Sequence, residues 1–263
     1  MTKIRQPAVA GTFYPADPDQ LKLMLTQYLK DAATDKKVPK AIIAPHAGYI
    51  YSGPIAASVY AWLQSARNLI NRVLLIGPSH RVGFYGLAVS TAEQFSTPLG
   101  TIDIDTDAVK QIAELPFVSY LDQAHEQEHS LEVHLPFLQT IFKEFLLVPV
   151  VAGDASAEQV CQLLEQFWGE PETLVVISSD LSHFHDYETA QKMDRATSVI
   201  IEQLQYEKLD SDFACGRVPV SGLLALARKK KLQVRTIDLR NSGDTAGSGD
   251  KTRVVGYGAY VVE

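Results

Sequence analysis

The chain has 263 residues, 46% of them hydrophobic, with a formal net charge of −7 and two cysteines. A balance this acidic argues against a nucleic-acid or anionic-membrane surface, because phosphate recognition needs a concentrated positive field. No stretch approaches the ~20 apolar residues of a membrane span, and two cysteines in so long a chain make no disulfide framework.

The expectation is a cytoplasmic protein with reduced thiols, in one domain covering residues 1–263. The N-terminal MTKIRQPAVAGTFYPAD has no continuous apolar h-region. PDQLKLMLTQYLKDA (18–32) puts Leu21, Met24, Leu25, Tyr28 and Leu29 on one helical face. TDKKVP links it to the strand AIIAP, which a turn joins to the helix GPIAASVYAWLQS (53–65) and then to the strand RVLLIGP. This βαβ unit, with its right-handed crossover, sets the α/β class.

GLAVS (86–90) reads as a short strand, and TPLGTIDID (97–105) precedes a helix at about 106–114. EHSLEVHLPFLQTIF (128–142) reads as one helix despite Pro136. FLLVPVVAG (145–153) is a strand, SAEQVCQLLEQFW (156–168) a helix capped by Ser156, and TLVVISSD (173–180) another buried strand. Helices at 187–209 and 218–231 follow, then the strands LQVRTIDLR and TRVVGYGAYVVE, joined by a mobile Gly/Ser/Asp loop at 241–251. The basic run RKKK (228–231) closes a helical pattern, where cations suit the dipole, and reads as structural.

Three of the apolar runs end alike: AIIAP runs into His46, RVLLIGPS into His80, and TLVVISSDLS into His183. Unbroken Ile/Val/Leu runs are the mark of strands buried on both faces of a parallel sheet. In such sheets the ligand crevice lies past the strands' carboxyl ends, so the three imidazoles are expected to share a pocket. Each alone reads more readily as a hydrogen-bonded structural residue; together they suggest a metal site, since imidazole is the commonest ligand for iron, copper and zinc. A further donor is expected from Cys215, ahead of a helix and beside Arg217, where a thiol pKa is lowered. Asp180 or Glu128 is the next candidate. Cys161 shares helical spacing with Leu164 and Trp168 and reads as packing. Asp180 stands where a carboxylate can orient His183 as a proton shuttle.

Two patterns invite other readings. His125-Glu126-Gln127-Glu128-His129 matches H-E-x-x-H, which on a helix is a zinc-protease signature; the apolar periodicity around it is too weak for that helix. Residues 103–114 put Asp and Glu at several calcium-loop positions, but Ala108 stands where the loop needs glycine.

AGTFYP, PHAGYIYSG, IGPSH, EHSLEVHLPFLQ, SSDLSH, CGRVP and the closing SGD…RVVGYGAY together resemble the Memo family, whose prokaryotic members are named AmmeMemoRadiSam system protein B. The resemblance covers nearly the whole chain and implies a fold similar to the class III extradiol dioxygenases (LigB-like), a three-layer α/β/α sandwich with a largely parallel or mixed central sheet. It implies metal-type ligands at His46, His80 and Cys215, an acid/base role for His183 with Asp180 close by, and Tyr51 and His129 lining the same cavity. The dioxygenases use a carboxylate where this chain has Cys215, and the softer thiolate suits Fe(II) or copper, with zinc as a further choice.

The resulting expectation is a metal-dependent oxidoreductase of unknown substrate. The competing readings are a non-catalytic module binding a metal, peptide or small ligand, and a zinc hydrolase. Phe13, Tyr14, Tyr49 and Tyr51 would line a binding cleft on the second reading, although aromatics beside glycine turns are more often packing. The resemblance also implies a functional link to a radical-SAM protein and an AMMECR-type partner.

Overall fold

A computed structural model describes residues 2–34, 37–245 and 250–263. In chain order the elements are β1 (Ile4–Arg5), α1 (Pro18–Asp31), β2 (Ala41–Ala44), α2 (Tyr49–Tyr60), β3 (Arg72–Pro78), β4 (Leu87–Val89), β5 (Gln94–Thr97), β6 (Gly100–Asp103), α3 (Thr106–Ala113), β7 (Val118–Tyr120) and α4 (Gln123–Glu126). Then come α5 (Leu135–Ile141), β8 (Leu146–Ala152), α6 (Ala157–Glu165), β9 (Thr173–Ser178), β10 (His183–His185), α7 (Tyr187–Glu202), α8 (Arg217–Lys230), β11 (Val234–Asn241), α9 (Ser242–Thr245) and β12 (Val254–Val262).

The main sheet runs β10-β12-β2-β9-β3-β8-β4-β7, with β11 also paired to β12. Its centre, β2-β9-β3-β8, is parallel, and β12 and β4 flank that centre as antiparallel strands. The sheet is therefore mixed. Every residue of β2 and β9 is buried, as the unbroken apolar runs require of strands covered on both sides. Helices α1, α2 and α5 pack together, with α2 on β2, β11 and β12; α6 packs on α8, which lies against β3 and β9, and α7 covers β11 and β12. This is an α/β sandwich. No helix among the described residues is long and apolar enough to cross a membrane.

Local chemistry explains the helix starts. Asp17 caps α1, accepting from the Gln20 amide at 2.9 Å, and Ser156 and Gln159 form a reciprocal capping box on α6. Asp105 caps α3 through the Ala108 amide, so the acidic residues of 103–114 serve a strand and a helix cap and make no calcium loop. Cys161 is buried, and a Cβ added to Gly222 of α8 would overlap Val160, so the α6–α8 contact is tight there. Arg228 and Lys229 pair with Glu207 and Glu165.

The structure corrects several boundaries. Residues 128–142 do not form one helix: the stretch after α4 is irregular, a 3-10 turn covers Glu132–His134, and α5 starts only at Leu135. Pro136 sits in the first turn of α5, where its missing N–H costs nothing. The helix expected at 53–65 starts at Tyr49 and gives way to a 3-10 stretch after Tyr60, while α7 stops at Glu202 rather than 209. Within the loop expected at 241–251, Ser242–Thr245 is helical and 246–249 lie outside the described residues. A small side sheet, β1-β5-β6, and the strands β7 and β10 had no clear signal in the sequence.

Candidate metal centre

β2, β9 and β3 are adjacent and parallel, so the residues two positions beyond each strand, His46, Asp180 and His80, come out side by side. Cys215 arrives from the turn before α8, the helix that packs on β3 and β9. The ligand-type atoms of His46, His80 and Cys215 all lie within 4.8 Å of one another. Cys215 Sγ is 3.3 Å from His46 Nε2, and the His46 and His80 rings meet edge-on with centroids 5.1 Å apart. Around one ion with metal–donor distances of roughly 2.0–2.3 Å, tetrahedral donors stand about 3.3–3.8 Å apart, so this trio needs only a small contraction to hold one.

Both imidazoles are held in the form a metal ligand needs. The Ser178 hydroxyl gives its only proton to the Ser130 carbonyl at 2.7 Å, so its 2.6 Å contact with His46 Nδ1 requires the ring to donate. His46 Nε2 is then a bare lone pair facing Cys215. Glu128 Oε1 lies 2.9 Å from His80 Nδ1, while Oε2 accepts the His80 amide at 2.6 Å. The carboxylate fixes a proton on Nδ1 and frees Nε2, an arrangement common behind histidine ligands. Burial pushes the Glu128 carboxyl up, but the His80 ring and amide and the Ser130 amide outweigh it and hold it down at about 2. Burial, reinforced by the neighbouring imidazoles, pushes His46 well below its ordinary range, so it stays neutral.

The H-E-x-x-H match resolves differently from a zinc helix. α4 ends at Glu126, leaving His129 outside it, and His125 turns away to place Nε2 3.1 Å from the Ala88 carbonyl. His80, Glu128 and His129 also have ligand-type atoms within 4.8 Å of one another. Glu128 Oε1, however, already accepts from the amides of His129 and Ser130, so its place is behind His80.

His129 lies beside the trio, stacked on His80 at 4.5 Å between centroids and packed on Phe13 at 4.9 Å. Its Nδ1 is buried without a hydrogen bond, and burial together with His80 pushes the ring down to about 4.

One expectation fails. The Cys215 thiol is not eased by Arg217 and the helix start: burial, then the Asp180 charge, push it up. The Asp180 amide nevertheless donates to Sγ at 3.3 Å. Gly216 makes the approach feasible, since a Cβ there would lie 2.5 Å from the Ser178 carbonyl oxygen. Cys215 also opens on a cleft of about 590 Å³ with Phe84, Tyr85, Asp154 and Arg217 on its walls.

Asp180 does not orient His183. Its Oδ1 accepts the His46 amide at 2.8 Å and its Oδ2 is 4.0 Å from His46 Nε2, whereas His183 Nδ1 is 2.8 Å from the Leu181 carbonyl. That carbonyl forces the proton onto Nδ1 and leaves His183 Nε2 basic. Burial raises the Asp180 carboxyl to about 6 against the pull of its backbone donors. Tyr51 is 38% exposed, while Tyr14 and Tyr49 are buried packing. Tyr257, which the sequence did not single out, is buried, and its hydroxyl is pushed up by burial and then by Asp180 and Tyr51.

Behind the site, Glu132 is fully enclosed and bound to the Arg5 guanidinium, the Ala8 and Val9 amides at 2.7 and 3.0 Å, and the Tyr14 hydroxyl at 2.5 Å. Arg5 also donates to the carbonyls of His125 and Glu128. The N-terminal segment thus clamps the stretch that carries Glu128 and His129.

A family profile described as Memo-like protein matches residues 5–261. The chain belongs to that family. It is 36% identical to a MEMO1 family protein of Aquifex aeolicus, over 97% of this chain and 97% of the relative. It is also 36% identical to one of Methanosarcina acetivorans, over 99% of this chain and 100% of the relative. The crystal structure of an uncharacterized protein from Escherichia coli K12 aligns with 86% of this chain and 100% of its own at 12% identity and a TM-score of 0.45. The Memo-like assignment spans the segments bearing His46, His80 and Cys215 alike.

Proposed function

We propose that this Memo-like chain is a metal-dependent oxidoreductase, one domain over residues 1–263, holding Fe(II) or copper between His46 Nε2, His80 Nε2 and Cys215 Sγ. The observation that carries the reading is that ligand-type atoms of His46, His80 and Cys215 lie within 4.8 Å of one another, while Nδ1 of each ring is engaged by a buried partner, Ser178 or Glu128. An ion bound there would supply open coordination positions and redox capacity, with the thiolate favouring a softer metal.

The chain's own groups have separable tasks. Cys215 would give up its thiol proton to hold the ion, so binding would weaken as pH falls. His183, with Nδ1–H committed to Leu181, accepts a proton from substrate at Nε2. Asp180 holds the His46 backbone in place, and His129 and Tyr51 line the cavity. The proposed setting is the cytoplasm, and family resemblance supports the company of a radical-SAM protein and an AMMECR-type protein.

The test is anaerobic loading with Fe(II), copper and zinc, followed by oxygen-consumption assays with catechols and small reductants. Turnover with iron or copper that is lost in His183→Ala supports the reading. Metal bound tightly without turnover reduces the protein to a binding module, and hydrolytic activity with zinc alone replaces the redox reading.

A further inference from the structure

We propose that Ser178 and His134 are positioning residues: with Tyr60 they form a directed, buried hydrogen-bond chain that locks His46 with its Nε2 lone pair facing Cys215. The proposal deepens the metal reading, and its first test is independent of metal.

The direction of the chain follows from counting protons. A serine hydroxyl has one donor and two acceptor positions. Ser178 spends its donor on the Ser130 carbonyl at 2.7 Å. Its two remaining contacts are His46 Nδ1 at 2.6 Å and His134 Nε2 at 2.9 Å, so both rings must donate to it. With its proton on Nε2, His134 offers only a lone pair at Nδ1, and the Tyr60 hydroxyl 3.0 Å away must be the donor there. Every position is filled once.

No water can substitute, because Tyr60, Ser130, His134, Ser178 and His46 are all buried. Should His46 move its proton to Nε2, its Nδ1 lone pair would face an oxygen whose only proton points elsewhere. Turning that proton round would strip the Ser130 carbonyl of its partner, and a buried unpaired carbonyl is costly. The wrong tautomer is therefore penalised from outside the site. Burial also pushes His134 down to about 3, which keeps it neutral and leaves its Nδ1 able to accept from Tyr60.

The same short stretch serves the second ligand. Ser130 gives its amide to Glu128 Oε1 at 2.9 Å while its carbonyl takes the Ser178 proton, and Glu128 holds His80. Residues 128–134 thus set the tautomers of both rings, and Glu132 in their midst is clamped by Arg5 and Tyr14. This accounts for the density of polar residues in the largely buried stretch 128–134.

The decisive experiment is two-bond proton–nitrogen NMR on ¹⁵N-histidine-labelled, metal-free protein, followed by titration with Zn(II) as the probe. Wild type is expected to show His46 protonated at Nδ1 only and His134 at Nε2 only. Ser178→Ala should turn both rings into tautomer mixtures and weaken Zn(II) roughly 10–100-fold, as loss of an outer hydrogen-bond partner does. Tyr60→Phe keeps the ring's packing on Phe137 and covers the case in which Ser178→Ala does not fold. It should shift the His46 nitrogen resonances although Tyr60 touches His134 and not His46. A wild-type His46 protonated at Nε2, or His46 resonances unmoved by Tyr60→Phe, overturns the proposal. Tautomers that behave as described in a protein that binds no metal would overturn the metal reading and leave this one standing.

Discussion

Glu128 grips His80 twice, with one carboxylate oxygen 2.9 Å from Nδ1 and the other 2.6 Å from the amide nitrogen. All the groups around this carboxylate are donors, so Glu128→Gln sets an NH2 against at least one of them. The expected result is a loss of about 1–3 kcal/mol in urea unfolding, from the buried mismatch, and metal binding weaker by roughly 10–100-fold. Wild-type metal affinity in this variant would remove Glu128 from the account of the site.

Arg5 and Glu132 are a buried ion pair far apart in sequence. Arg5→Met leaves the Glu132 charge enclosed and should cost about 3–5 kcal/mol. Adding Glu132→Gln should recover part of that loss, because the stranded charge is gone. A urea double-mutant cycle reads the coupling, and strictly additive losses would show that the pair is not energetically linked.

Gly216 permits the close packing beside Cys215. An added Cβ would stand 2.5 Å from the Ser178 carbonyl oxygen and 2.6 Å from Ser179 Cβ, whereas one on Gly83 would meet nothing within 4 Å. Gly216→Ala should therefore destabilise by about 1–3 kcal/mol and weaken metal binding, with Gly83→Ala as a nearly silent control. Equal effects in the two variants would argue against a packed turn at Cys215.

Much of this arrangement was legible in the sequence. His46 and His80 could be seen because buried parallel strands read as unbroken apolar runs, and β2, β9 and β3 do lie side by side; His183 instead stands five residues past β9, in β10 paired to β12. The supporting partners could not. Ser178, His134 and Tyr60 sit in apolar stretches with nothing periodic to mark them, and Arg5 meets Glu132 across 127 positions. The break within 128–142 is hidden for the same reason: apolar spacing continues into α5, and polar Glu128, Glu132 and His134 have the spacing of a helix surface. A buried polar residue needs a partner, and that accounting was the signal available. The Cys215 expectation weighed helix and arginine but not burial, which wins.

Acid should destabilise the metal-free protein before the ordinary carboxylate range. Burial holds His125 at about 4 and His134 at about 3, below the ordinary 6.5. Depressed imidazoles give stability that is complete above about 6.5 and lost as pH falls, because the unfolded chain takes up the protons first. Asp180, raised to about 6, works the other way in the same window. With His46 and His129 also held below their ordinary range and Asp194 also raised by burial, four imidazoles stand against two carboxyls, a net uptake of about two protons, or about 2.7 kcal/mol per pH unit. Urea midpoints at pH 7, 6 and 5 should decline; a flat or rising series contradicts neutral buried imidazoles.

The most direct measurement is the metal content and affinity of protein purified anaerobically under reducing conditions, set beside Cys215→Ser and His80→Ala. The expected result is one iron or copper ion per chain, with affinity falling by at least roughly tenfold in each variant while the fold is retained. Occupancy and affinity unchanged by Cys215→Ser would show that the sulfur is not a ligand and that the three-donor centre is wrong.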